Sequence, residues 1–148
     1  MVIVLRRCAR REGVNQSVIT KEARRVLVHL EEHGSELSIS LVDDAEMQQL
    51  NGQYRGKDRP TDVLAFAMRE GEQPLGDESI LGDVIISVET AQRQAAQRQH
   101  SLAVEIRTLL VHGILHLLGY DHERSPAEAQ RMFAKEREIA TLLTSEKE

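Results

Sequence analysis

Apolar residues recur along this chain with two periods, and the switches between them predict nine elements. An apolar, β-branched run predicts a strand over 2–6. Val18, Ala23, Val26, Leu27 and Leu30 then follow at helical spacing and predict a helix over 17–33, stopped by Gly34. Residues 37–41 alternate apolar and polar with period two, as a strand with one buried face does. Asp43, with Glu46 three positions on, has the capping-box pattern and opens a short helix through Met47 and Leu50.

Residues 51–60 are polar and glycine-bearing and predict a loop, 63–66 predict a strand, and the acidic stretch 70–78 predicts an exposed connection. Valine and isoleucine return over 81–88, a strand that runs into a helix over 89–99 polar almost all round and so placed at the surface. Leu102, Ile106, Leu109, Leu110, Ile114 and Leu117 make 101–118 the central apolar helix. A last helix begins at Ser125-Pro126-Ala127-Glu128, where serine caps, proline takes the first turn and glutamate completes the capping box, and it ends near residue 143. The order βαβαββααα predicts an α+β fold, a small mixed sheet packed by helices, with strand directions left open. At 148 residues, 41% of them hydrophobic, one domain over 1–148 accounts for the whole chain.

Composition narrows the setting. A single cysteine, Cys8, permits no internal disulfide and suits a reducing compartment. The amino-terminal apolar run is too short for a secretory segment and carries Arg6 and Arg7 on the wrong side. No run reaches membrane-helix length, so the expectation is a soluble cytoplasmic protein with no membrane partner. The net charge of −5 argues against a general nucleic-acid coat. Basic residues are nevertheless clustered: Arg6, Arg7, Arg10, Arg11, Lys21, Arg24 and Arg25 near the amino terminus, and Arg55, Lys57 and Arg59 in the predicted loop.

The chemistry concentrates in His112-Gly113-Ile114-Leu115-His116-Leu117-Leu118-Gly119-Tyr120-Asp121-His122. Positions i and i+4 of a helix share a face, about 6 Å apart along the axis, so His112 and His116 can address one ion. Gly119 can take the positive φ of a helix terminus and turn the chain back, delivering His122 to the same point. Read instead as core residues, these imidazoles would each need another hydrogen-bond partner among leucines. Three neutral nitrogens with a fourth position for water are the pattern of a catalytic zinc site, and one cysteine excludes a closed cysteine site. The spacing equals that of the zinc-protease signature, except that Gly113 stands where those enzymes carry their glutamate base.

Together with Tyr54-Arg55-Gly56-Lys57-Asp58-Arg59-Pro60-Thr61-Asp62-Val63-Leu64 and Leu81-Gly82-Asp83-Val84-Ile85-Ile86-Ser87, this motif closely resembles the YbeY family of metal-dependent endoribonucleases and rRNA maturation factors. The resemblance implies a zincin-like α+β fold, one Zn²⁺ held by His112, His116 and His122, and cleavage of single-stranded RNA. It further implies a role in 16S rRNA 3′ end maturation and ribosome quality control on the small ribosomal subunit, with Arg55 as the cleft arginine implicated in activity. One departure is Ala65-Phe66-Ala67, where the family usually has serine, phenylalanine and proline.

From the residues, Arg55 is assigned to the phosphate that gains charge, and Lys57 and Arg59 either bind backbone phosphates or are merely solvated. Asp121 either orients a histidine or caps the turn after Gly119. Asp83 and Ser87 are read as serving strand ends, His29, His33 and His100 as helix-boundary residues, Cys8 as a small buried hydrophobe, and Tyr54 as too isolated for an aromatic RNA platform. Two other readings compete: a zincin-type metallopeptidase, against which Gly113 stands, and a non-catalytic ribosome assembly factor with a structural zinc.

Overall fold

The computed structural model describes residues 1–9, 13–32, 34–68 and 80–145. Arg10 and Arg11 of the basic cluster, His33, and the acidic connection expected over 70–78 lie outside the described residues. The elements follow the order read from the hydrophobic pattern: β1 (Val2–Arg6), α1 (Gln16–His29), β2 (Glu36–Val42), α2 (Asp44–Arg55), β3 (Val63–Ala67), β4 (Ile80–Ser87), α3 (Val88–Arg98), α4 (Leu102–Leu117) and α5 (Pro126–Ser145).

The directions left open by the sequence resolve into a mixed four-stranded sheet ordered β1-β2-β4-β3. β1 pairs with β2, and β2 with β4, in parallel, while β3 runs antiparallel to β4 and forms one edge. Alternation sorts the strand side chains. Leu37, Ile39 and Leu41 of β2 and Val84 and Ile86 of β4 are buried with Ala23 and Val26 of α1, Ile106, Leu110 and Ile114 of α4, and Met132, Ile139 and Leu143 of α5. A smaller cluster of Val42, Met47 and Leu64, joined by Phe66 and Ile85, holds α2 to the sheet.

Three elements differ from expectation. α1 ends at His29, because Glu31 adopts φ 62° and the Glu31 and Glu32 amides donate to the carbonyls of Val28 and Leu27; this double closure acts before Gly34 is reached. α2 continues through 51–55, where a loop was predicted, so Arg55 leaves from its last turn. The terminator is Gly56, at φ 70°, and the buried Asn51 amide donates to the Arg59 carbonyl at 2.8 Å, folding the following segment back. Asp43 sits at the start of α2, but its side chain accepts from the Ala9 amide at 2.9 Å instead of capping. Finally, α3 is less uniformly exposed than its composition predicts, since Val88, Ala91 and Ala95 form a buried stripe.

Helix α4 is fixed along its whole length. At its start, Ser101 accepts from the Val104 amide, and the fully buried Glu105 carboxylate meets Arg98 Nη1 at 2.6 Å and His100 Nε2 at 2.5 Å. Near its end a Cβ on Gly113 would lie 2.7 Å from Val84 Cγ1 and 3.4 Å from Val63 Cγ2, so only glycine lets the helix lie this close to β3 and β4. Gly82 has a matching role in β4, with φ +148° and the Phe66 carbonyl where a Cβ would be, at a register shift between β2 and β4. Gly113→Ala is therefore expected to destabilise the domain by about 1–3 kcal/mol in urea unfolding, with Val84→Ala recovering part of the loss. Full stability of Gly113→Ala would contradict the close approach.

Candidate metal centre

His112 and His116 lie one turn apart near the end of α4, with ring centroids 4.7 Å apart and their Nε2 atoms 3.1 Å apart. The helix then closes as the glycine predicted: Gly119 takes φ +95°, its amide donates to the His116 carbonyl, and the Tyr120 amide donates to the Leu115 carbonyl. This turn returns His122 to within 5.3 Å of the His112 ring and 5.6 Å of the His116 ring. One ligand nitrogen from each histidine lies within 4.8 Å of the others. Asp121 serves the turn: Oδ1 accepts from the Glu123 amide at 2.8 Å and Oδ2 lies 3.2 Å from Arg124 Nε.

The donor set fits a divalent cation. Two facing imidazole nitrogens can share at most one proton, and His122 Nδ1 is buried without a hydrogen-bond partner among the described residues. A cation between the rings would take the place of the proton shared by the His112 and His116 nitrogens. Burial, reinforced by repulsion from His112 and His122, lowers the pKa of His116 from its usual 6.5, with Asp121 and Glu123 opposing. The ring is thereby kept in the neutral form that a metal needs. Asp121 is itself held below the usual carboxylate range, chiefly by the Glu123 amide and further by Arg124.

One functional contact escaped the sequence reading. His112 Nδ1 lies 2.8 Å from Glu136 Oε2, on α5. The signal was present: Glu136 falls in the apolar stripe defined by the buried Met132, Ile139 and Leu143, an unusual place for an acid.

The three histidines open into a cleft of about 590 Å³ whose walls include Gly113, the β3 edge and Arg55. A second hollow of about 340 Å³ adjoins it, lined by Lys57 and Arg59 and sharing Arg55, Thr61 and Glu123 with the first. All three cations are exposed and make no ion pair with the described residues. The structure thus brings Arg55 into the histidine cleft and leaves Lys57 and Arg59 beside it. His29 and His100 pair with Glu138 and Glu105, away from the cluster. Ser87 caps α3 and donates to Asp44, Asp83 is exposed on β4, Cys8 is buried, and Tyr54 is exposed with its ring edge-on to Phe66. No described helix is long and apolar enough to cross a membrane.

Comparison with known proteins points the same way. The family model described as Endoribonuclease YbeY matches residues 7–144. A Geobacter metallireducens protein named Endoribonuclease YbeY is 45% identical, covering 99% of this chain and 98% of its own. A protein of the same name from Aquifex aeolicus is 44% identical over 91% of this chain and 88% of its own. A Thermotoga maritima protein with a solution structure superposes with a TM-score of 0.65 at 28% identity, covering 95% of this chain and 87% of that one. A match running through the sheet, the Arg55 segment and all three histidines leaves one conclusion: the chain belongs to the YbeY endoribonuclease family.

Proposed function

We propose that this protein is a zinc-dependent endoribonuclease that cuts single-stranded RNA in the cytoplasm, acting in 16S rRNA 3′ end maturation and ribosome quality control on the small ribosomal subunit. The observation that carries the hydrolytic reading is the convergence of His112, His116 and His122 on a cleft that also holds Arg55. Family membership supports RNA as the substrate, and the ribosomal role is what the resemblance of the three motifs implies. Three neutral imidazoles without a thiolate suit zinc, and suit nickel or copper as well, so metal analysis of the isolated protein decides the ion.

Held by the three histidines, such an ion supplies an acidified water and a Lewis acid for a phosphoryl oxygen. Arg55, in the cleft and without an ion pair among the described residues, offers a planar fork of N–H donors to the phosphate as its negative charge grows. Lys57 and Arg59, in the adjoining hollow, hold neighbouring phosphates and keep the strand in register. The peptidase reading loses ground on space: a Cβ at position 113 already meets Val84, so the missing glutamate base has no room there. The assembly-factor reading, in which zinc is structural, requires that His112→Ala unfold the domain and that a folded metal-free form still support ribosome maturation.

The deciding assay compares single-stranded RNA with an unstructured peptide, with and without chelator. RNA cleavage that stops on chelation and returns with added metal is expected; undiminished cleavage by metal-depleted protein would overturn the reading. Arg55→Lys keeps the charge and loses the fork, and is expected to lower RNA cleavage about 100-fold with metal content intact. Near-normal cleavage by that variant would reject the role. Because folded His116 resists a proton that the unfolded chain accepts, its contribution to the stability of the metal-free domain should be complete above pH 6.5 and be lost as pH falls below it. Urea midpoints at about pH 7.5 and about pH 5.5 test this, and the difference should shrink in His116→Asn.

A further inference from the structure

Among the described residues, His112 alone of the three clustered histidines has a carboxylate hydrogen-bonded to its ring. The nearest acid to His122 is Glu123, whose Oε1 lies 3.9 Å from Nε2, beyond hydrogen-bond length. The His112–Glu136 contact joins two helices across 24 residues of sequence at 2.8 Å, and both side chains are about three-quarters buried. Glu136 is also anchored: Met132 and Ile139, one turn before and one turn after it, are fully buried in the main core.

The two ring nitrogens of His112 therefore face different partners. Nδ1 faces the Glu136 carboxylate, which can only accept, and Nε2 faces His116 Nε2 in the cluster. A neutral imidazole has one proton. With that proton on Nδ1, donated to Glu136, the Nε2 lone pair is left pointing at the place where the three rings converge. The carboxylate also brings negative charge behind the ring, which raises the basicity of Nε2.

We propose that Glu136 is a positioning residue of the metal centre: it holds His112 in the Nδ1-protonated tautomer and orients Nε2 as the ligand atom. The role rests on the reading of the three histidines as a metal site and assigns the last helix a part in it. A Glu136 that merely ties α5 to α4 would affect stability and leave both the tautomer and the metal affinity alone.

The test uses the full chain with Glu136→Gln and Glu136→Ala. Nitrogen-15 NMR of metal-free wild type should show the His112 proton on Nδ1; in Glu136→Ala the ring should redistribute between tautomers, whereas Glu136→Gln, which still offers an accepting oxygen, should keep most of the wild-type pattern. Zinc affinity, measured by competition with a chromogenic chelator, should weaken about 10–100-fold in Glu136→Ala and less in Glu136→Gln. Urea unfolding of the metal-free variants separates these effects from loss of fold, and Glu136→Gln, which preserves size and shape, serves if the alanine variant does not fold. Wild-type zinc affinity in a folded Glu136→Ala, or an unchanged His112 tautomer, would overturn the proposal. Failure of wild type to take up zinc would instead count against the metal-centre reading, and the tautomer measurement would still judge Glu136.

Discussion

The close approach of α4 to the β3–β4 edge at Gly113 sets the position of everything chemical in this domain. A helix packed through an ordinary side chain stands off from the sheet by the width of that side chain; here Val84 Cγ1 occupies the space a Cβ would take. His112 and His116, flanking that contact on the helix, are consequently held at the sheet edge, which β3 forms among the described residues. The same contact removes the position from which a glutamate could serve as a base. Burial of Ile106, Leu110, Ile114 and Leu115 on the helix drives the packing, and the glycine decides how far it goes.

Arg55 reaches the cleft through a longer chain of causes. The carboxylate of Asp44, at the start of α2, accepts from Ser87 Oγ at 2.6 Å, Thr90 Oγ1 at 2.7 Å and Arg93 Nη2 at 2.8 Å, tying the helix to the end of β4 and the start of α3. Met47 then seats the helix on Val42 and Leu64. With its start and its apolar face both fixed, α2 has one course, and its last turn presents Arg55 to the histidines. A cation at the carboxyl end of a helix is also in a favourable field.

What was legible in the sequence was what local geometry controls. The i and i+4 histidines, the positive φ of Gly119 and the return of His122 depend on a few consecutive residues, and the structure follows them closely. The order of elements was legible for the same reason, since period two and period 3.6 are local patterns. Errors arose where distant residues decide. Asn51 to Arg55 look like loop, yet Asn51 is buried by its bond to Arg59 and the helix persists. Asp43 has the sequence of a cap, yet Ala9 competes for its carboxylate. Glu136 was unremarkable by itself and became informative only against the neighbours that share its face.

The Glu105 clamp bears on how the domain would meet an ion. Arg98 and His100 grip that carboxylate at one end of α4 and the Gly119 closure ties the other, and none of these bonds involves a cation. Its imidazoles are hung on a frame already built by hydrophobic burial, so coordination need order little of the chain. Small zinc modules, by contrast, fold only around their metal and spend most of the coordination energy on that ordering. On a frame built in this way, the coordination energy of a bound ion would be left over for selecting among ions and for holding one against competing chelators.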